Sequence, residues 1–204
     1  MIQYGGFDMF NGIHLSIEGM DGVGKTTVCR LIEKELGFRY VEKPLQYLFK
    51  EDGDYDTYIR VRDYVNNDPD RVFTSWFYGL GSTFLYSRFN GEMIVTDRHL
   101  LSNYTWSGEE ESEPVFETLV KVLGVPTMTV ILYSRPEVIE QRLKKRDIED
   151  SDLKKVKVSE EKYAKMKHFA EKYNMPYILI DTSNITPEQT LNIIADKMRE
   201  IGAI

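Results

Sequence analysis

A chain of 204 residues has room for one domain, or one domain with a small lid, and a hydrophobic content of 42% can build a buried core. Its net charge of −7, from 26 basic and 33 acidic residues, argues against a general nucleic-acid or membrane-surface binder, which needs a basic face. Cys29 is the only cysteine, which excludes an intrachain disulfide and a cysteine-based zinc site.

The pattern along the chain alternates short apolar runs with amphipathic stretches. Residues 1–10 carry no basic residue and no long apolar run, so no secretory signal is expected there. A strand is expected at 13–18, then a glycine-rich turn and a helix at 25–36, then a strand at 39–42. Residues 52–56 read as a polar loop. A helix at 69–89, broken near Gly79 and Gly81, leads to a strand at 93–97. The acidic stretch 107–113 reads as a solvated loop ahead of a helix at 114–123. There follow a strand at 127–133, helices at 136–146 and 159–173, a strand at 177–181 and a helix at 187–201. Strands separated by helices imply a parallel sheet covered on both faces, with ligands at the carboxyl ends of the strands. No stretch approaches the roughly 20 apolar residues that cross a bilayer, and the expected setting is the cytoplasm.

The turn after the first strand is Gly19-Met20-Asp21-Gly22-Val23-Gly24-Lys25-Thr26, which fits G-x-x-x-x-G-K-[ST] between a strand and a helix. The chemistry explains the spacing. Glycines let backbone amides turn inward around a β-phosphate, Lys25 reaches the β- and γ-phosphates, and the Thr26 hydroxyl reaches Mg²⁺. The helix behind adds its positive N-terminal end. ATP with Mg²⁺ is therefore the expected ligand. A guanine-reading N-K-x-D is absent, and the chain is short for most transport or helicase ATPases. Small phosphotransferases remain.

Ile17-Glu18-Gly19-Met20-Asp21-Gly22-Val23-Gly24-Lys25-Thr26-Thr27 resembles the thymidylate-kinase form of this loop, E-G-x-D-G-x-G-K-T-T, with a weaker resemblance to the deoxynucleoside kinases. The resemblance implies an α/β P-loop kinase fold: a five-stranded parallel sheet flanked by helices, in one domain over 1–204 with a lid at about 142–158. It also implies a homodimer, and a role for Asp21 at the sugar of the acceptor nucleotide. Thr96-Asp97-Arg98-His99-Leu100-Leu101-Ser102 is similar to the family's D-R-Y-x-x-S. It implies Asp97 beside Mg²⁺-bound water and Arg98 at the donor or acceptor phosphate. Arg142 and Arg146, four apart on one helical face and followed by Lys154 and Lys155, match the family's lid arginines, which neutralise the transferred phosphoryl. Glu42, in Glu42-Lys43-Pro44, matches a Glu that serves as base in the deoxynucleoside kinases, although Lys43 interrupts the direct Glu-Pro pattern. Ile180-Asp181-Thr182-Ser183 resembles the loop that borders adenine.

The acceptor pocket departs from both families. Phe73 stands where thymidylate kinases stack an aromatic on thymine, and Phe77 stands where they carry an arginine, so Arg71 or Arg88 would have to replace it. Trp106 and Ser107 occupy the place of a Tyr-Gln pair beside the sugar and base. Three functions stay open: a kinase of a dTMP-like nucleoside monophosphate, a deoxynucleoside kinase with Glu42 as base, and a nucleotide-binding protein without turnover.

Overall fold

The computed structural model describes residues 10–204, so the expectation about a secretory signal at the N-terminus falls almost wholly outside the described residues. Strand β1 (Ile13–Gly19) runs into helix α1 (Lys25–Leu36), followed by β2 (Arg39–Val41), α2 (Tyr55–Asn67) and α3 (Arg71–Arg88). Then come β3 (Met93–Asp97), α4 (Leu100–Ser107), α5 (Glu113–Leu123), β4 (Met128–Tyr133) and α6 (Pro136–Arg146). The order closes with α7 (Ser159–Lys172), β5 (Tyr177–Asp181) and α8 (Pro187–Glu200). Short 3-10 turns occupy Pro44–Leu48, Glu110–Ser112 and Ser151–Val158.

All the strand pairs are parallel, in the order β2-β3-β1-β4-β5. The central β1 alternates Leu15 and Ile17 with His14, Ser16 and Glu18, yet every one of these is fully buried, because helices cover both faces of the sheet. The buried polar residues therefore need partners. The His14 ring nitrogens meet the Tyr86 hydroxyl at 2.8 Å and Thr96 Oγ1 at 2.9 Å. Connections leave β1 toward β2 and leave β3 toward β4, on opposite sides. The crevice at this switch of direction lies at the carboxyl ends of β1 and β3.

Five strands and six helices lie where the sequence pattern puts them, to within two residues at either end. Helix α3 is unbroken, contrary to the expectation at Gly79 and Gly81. Both glycines face inward. A Cβ on Gly79 would sit 2.7 Å from Leu119 of α5, and one on Gly81 would sit 3.2 Å from Leu45. Their small size allows close approach, which outweighs a helix-propensity cost of about 1 kcal/mol each. Two helices were not anticipated. Helix α2 is started by Asp54, whose carboxylate accepts the Thr57 amide at 2.9 Å, within what read as a loop at 52–56. Helix α4 is buried on nearly every side, so it shows no amphipathic period. No helix among the described residues is long and apolar enough to cross a membrane.

Candidate active site

The turn from β1 to α1 has φ values of 83° at Gly22 and 100° at Gly24. Side chains with a Cβ avoid this region, and here it lets successive amides turn to one side. A Cβ at Gly24 would meet no atom within 4 Å, so the loop opens directly onto free space. Lys25 is only 6% exposed; its Nζ donates to the Met20 carbonyl at 2.9 Å and lies 3.6 Å from Asp21 Oδ1. Burial, and then the nearby Arg98 charge, pull the ammonium below its usual range, while Asp97, Asp21 and Glu18 oppose them.

The Thr26 hydroxyl donates to Asp97 Oδ2 at 2.7 Å. One residue on, Arg98 adopts φ of 80°, a conformation costing on the order of 1–3 kcal/mol for such a side chain. Its guanidinium donates to the Gly19 carbonyl at 3.1 Å and to Asp21 Oδ1 at 2.6 Å. Asp21 is thus a hub, also 3.2 Å from Lys155 Nζ. Burial alone would raise its carboxyl; Arg98, Lys25 and Lys155 outweigh that and hold it well below the carboxylate range.

The segment carrying Lys155 packs between α6 and α7 and closes one side of the loop. Arg142 donates to the Thr182 carbonyl at 2.7 Å, while Arg146 Nε donates to Asp150 at 2.6 Å and its Nη2 to Asp152 at 2.9 Å. Lys155 and Lys162 each lie 5.4 Å from the ring centre of Trp106. Across the opening, Glu42 forms an ion pair with Lys43, whose ammonium lies 5.1 Å from the Tyr55 ring centre.

These groups surround one cleft of about 1310 Å³. A single small ligand commonly occupies about 300–1,000 Å³, so this cleft has room for two. It brings together Asp21, Gly22, Val23, Gly24, Lys25, Thr26, Thr27, Glu42, Asp97, Arg98, Trp106, Arg142 and Arg146, along with Arg71 and Thr182. Gly19 sits behind the loop, where its carbonyl anchors Arg98.

Phe73 and Phe77 do not line the cleft, which corrects their expected place against the acceptor base. Phe73 is 42% exposed, and Phe77 packs edge-on against Tyr78. The face of α3 toward the cleft is Arg71, Thr74, Tyr78, Gly81, Ser82 and Leu85, a clear three-to-four spacing. Counting from a motif was off by one position, which on a helix is a rotation of about 100°. Arg88 is exposed and likewise lies off the cleft. Sequence reasoning missed Tyr58, Arg62 and Asn66, because they stand on the unanticipated α2, and it missed Tyr78, whose hydroxyl donates to Asn66 at 2.7 Å. The polar period starting at Arg71 was the available signal.

Thr26 and Asp97 offer a hydroxyl and a carboxylate, hard oxygen donors of the kind Mg²⁺ takes alongside phosphate and water. Their contact and the open space at Gly24 fit a metal–triphosphate ligand.

A family model described as Thymidylate kinase matches residues 17–194. A protein of Thermococcus onnurineus, provisionally named as an adenylate kinase, is 26% identical over 185 residues, covering 88% of this chain and 81% of that one. Among solved structures, a thymidylate kinase from Candida albicans superposes with a TM-score of 0.69 at 15% identity, over 94% of this chain and 93% of the other. A deoxyadenosine kinase from M. mycoides, with dCMP and dCDP bound, superposes with a TM-score of 0.63 at 19% identity, over 92% and 100%. The structural likenesses concern the fold.

Proposed function

The chain belongs to the thymidylate kinase family and is a nucleotide kinase, and from that premise we propose that it moves the γ-phosphoryl of ATP onto a nucleoside monophosphate with a thymidylate-like base. The observation that carries this reading is the single cleft: the phosphate loop and lid arginines form one wall, and the polar faces of α2 and α3 form another. Membership of a kinase family sets aside the reading of a nucleotide binder without turnover. The proposal takes residues 1–204 as one domain with 142–158 as its lid, in a cytoplasmic setting.

ATP, bound with Mg²⁺, supplies the phosphoryl group. Loop amides and Lys25 would hold the β- and γ-phosphates, and Thr26 with Asp97 would hold the metal, which would neutralise phosphate charge. Arg98 lies between Asp21 and the Gly19 carbonyl, where donor and acceptor phosphates would converge. Arg142 and Arg146 would exchange their present oxygen partners for phosphate as charge spreads over the transferred group. Asp21 and Trp106 border the acceptor sugar, and Tyr78 and Arg71 replace Phe73 and Phe77 on the base side. A monophosphate is already ionised near neutral pH, so this reaction needs alignment and charge stabilisation rather than a base.

One observation favours a second reading. Glu42 lines the cleft, where it could take the proton of a nucleoside 5′-hydroxyl. A panel of nucleosides and nucleoside monophosphates with ATP and Mg²⁺, followed by product mass, separates the two. We expect diphosphate products from monophosphates, dTMP among the best; phosphorylation of nucleosides alone would overturn the first reading.

The apolar residues that α3 turns outward support a homodimer. Phe73, Trp76 and Leu80 are 42%, 46% and 51% exposed on one helical face.

A further inference from the structure

Glu18 stands apart from the other acids near the cleft. It is fully buried near the carboxyl end of strand β1 and does not line the cleft. Its Oε1 accepts the Ser16 hydroxyl at 2.8 Å and the backbone amide of His99 at 2.9 Å, and its Oε2 accepts the Ser102 hydroxyl. Ser102 Oγ in turn accepts Arg98 Nη1 at 3.1 Å. The Arg98 amide donates to the Ile17 carbonyl at 3.0 Å, so the chain is tied to the end of β1 on both sides of Arg98.

We propose that Glu18 is a positioning residue for Arg98. Through the His99 amide it secures the left-handed backbone at Arg98, and through Ser102 it aims the guanidinium at the mouth of the phosphate loop. The direction of each bond follows from the carboxylate. An ionised carboxyl only accepts, so Ser102 must donate to it, which leaves the Ser102 lone pairs for the arginine. A glutamine would either set its N–H₂ group against the His99 amide, two donors facing each other, or turn it to Ser102, whose hydroxyl would then lose the acceptor that orients it and spend a lone pair on the amide. Burial raises the Glu18 carboxyl above its usual range, and the bonds from Ser102 and Ser16, the Arg98 charge and the His99 amide offset that only in part by favouring the ionised form. Ser16 is a built-in control, because it bonds the same carboxylate without touching Arg98 or its backbone.

The proposal rests on the kinase reading only in giving Arg98 its phosphates; the posture of Arg98 can be read without turnover. The test compares Glu18→Gln, Ser102→Ala, the double variant and Ser16→Ala. We expect kcat to fall about 10- to 100-fold in the first two, as for a small misplacement of a reacting group, with the ATP KM within about twofold. The double variant should be no worse than the poorer single one, because both act through one chain of bonds. Ser16→Ala should keep kcat within about twofold of the wild type. By NMR, the guanidinium N–H signals assigned to Arg98 through Arg98→Lys should exchange slowly in the wild type and in Ser16→Ala, and quickly in Ser102→Ala. If Glu18→Gln does not fold, Ser102→Ala and Ser16→Ala decide. Unchanged kcat and unchanged Arg98 signals in Ser102→Ala, additive losses in the double variant, or equal losses in Ser16→Ala would overturn the proposal. A wild-type chain that transfers to no acceptor defeats the proposed function instead, and the NMR comparison still decides the role of Glu18.

Discussion

Lys25 sits in a nearly closed space, its ammonium held by a carbonyl at 2.9 Å and a carboxylate at 3.6 Å. Those partners hold its place until a phosphate arrives, and no neighbour can replace it on the loop. Lys25→Ala should therefore lower kcat/KM by about 10²–10³-fold or more, while the circular dichroism stays native. Near-normal turnover in that variant would unseat the site. A second effect at this scale concerns His99, whose buried imidazole is pulled down to about 3 by desolvation. The unfolded chain binds that proton more readily, so this contribution is whole above about pH 6.5 and shrinks as pH falls toward 3. The melting temperature should drop between pH 7.5 and 5.5, and His99→Phe should flatten the drop. An equally steep fall in that variant would assign the effect to another group, His14 first, since burial lowers it too.

At the scale of elements, α3 has two faces with different work. Tyr78, joined to Asn66 on α2, belongs to the cleft, and Phe73 belongs to the outside. Tyr78→Ala should raise the acceptor KM about tenfold or more with little change in the ATP KM, whereas Phe73→Ala should leave both within about twofold. The reverse pattern, measured by steady-state kinetics, would restore the motif-based placement. The facing itself comes from close packing at Gly79 and Gly81, which lock α3 against α5 and the turn at Pro44–Leu48.

At the scale of the molecule, the outward stripe of Phe73, Trp76 and Leu80 predicts self-association. Sedimentation velocity at micromolar concentration should find a dimer, and Trp76→Glu should shift it to monomer, because a desolvated carboxylate is costly in an apolar contact. A wild-type monomer would remove this part of the proposal.

The residues alone determined the glycine-rich loop between β1 and α1, the alternation of strands and helices and the paired arginines of α6, because each is written locally. Left-handed glycines, a strand-then-helix pattern and arginines four apart depend on neighbours within a few positions. Helix α2 escaped because its inward positions, Tyr58, Val61 and Val65, are few among polar residues, and α4 escaped because it is buried on nearly every side and so shows no period. Only the tertiary structure decided which side of α3 faces the cleft and how Glu18 reaches Arg98 through Ser102. Both depend on contacts between residues far apart in sequence, Gly79 with Leu119 and Glu18 with Ser102, which no local pattern encodes.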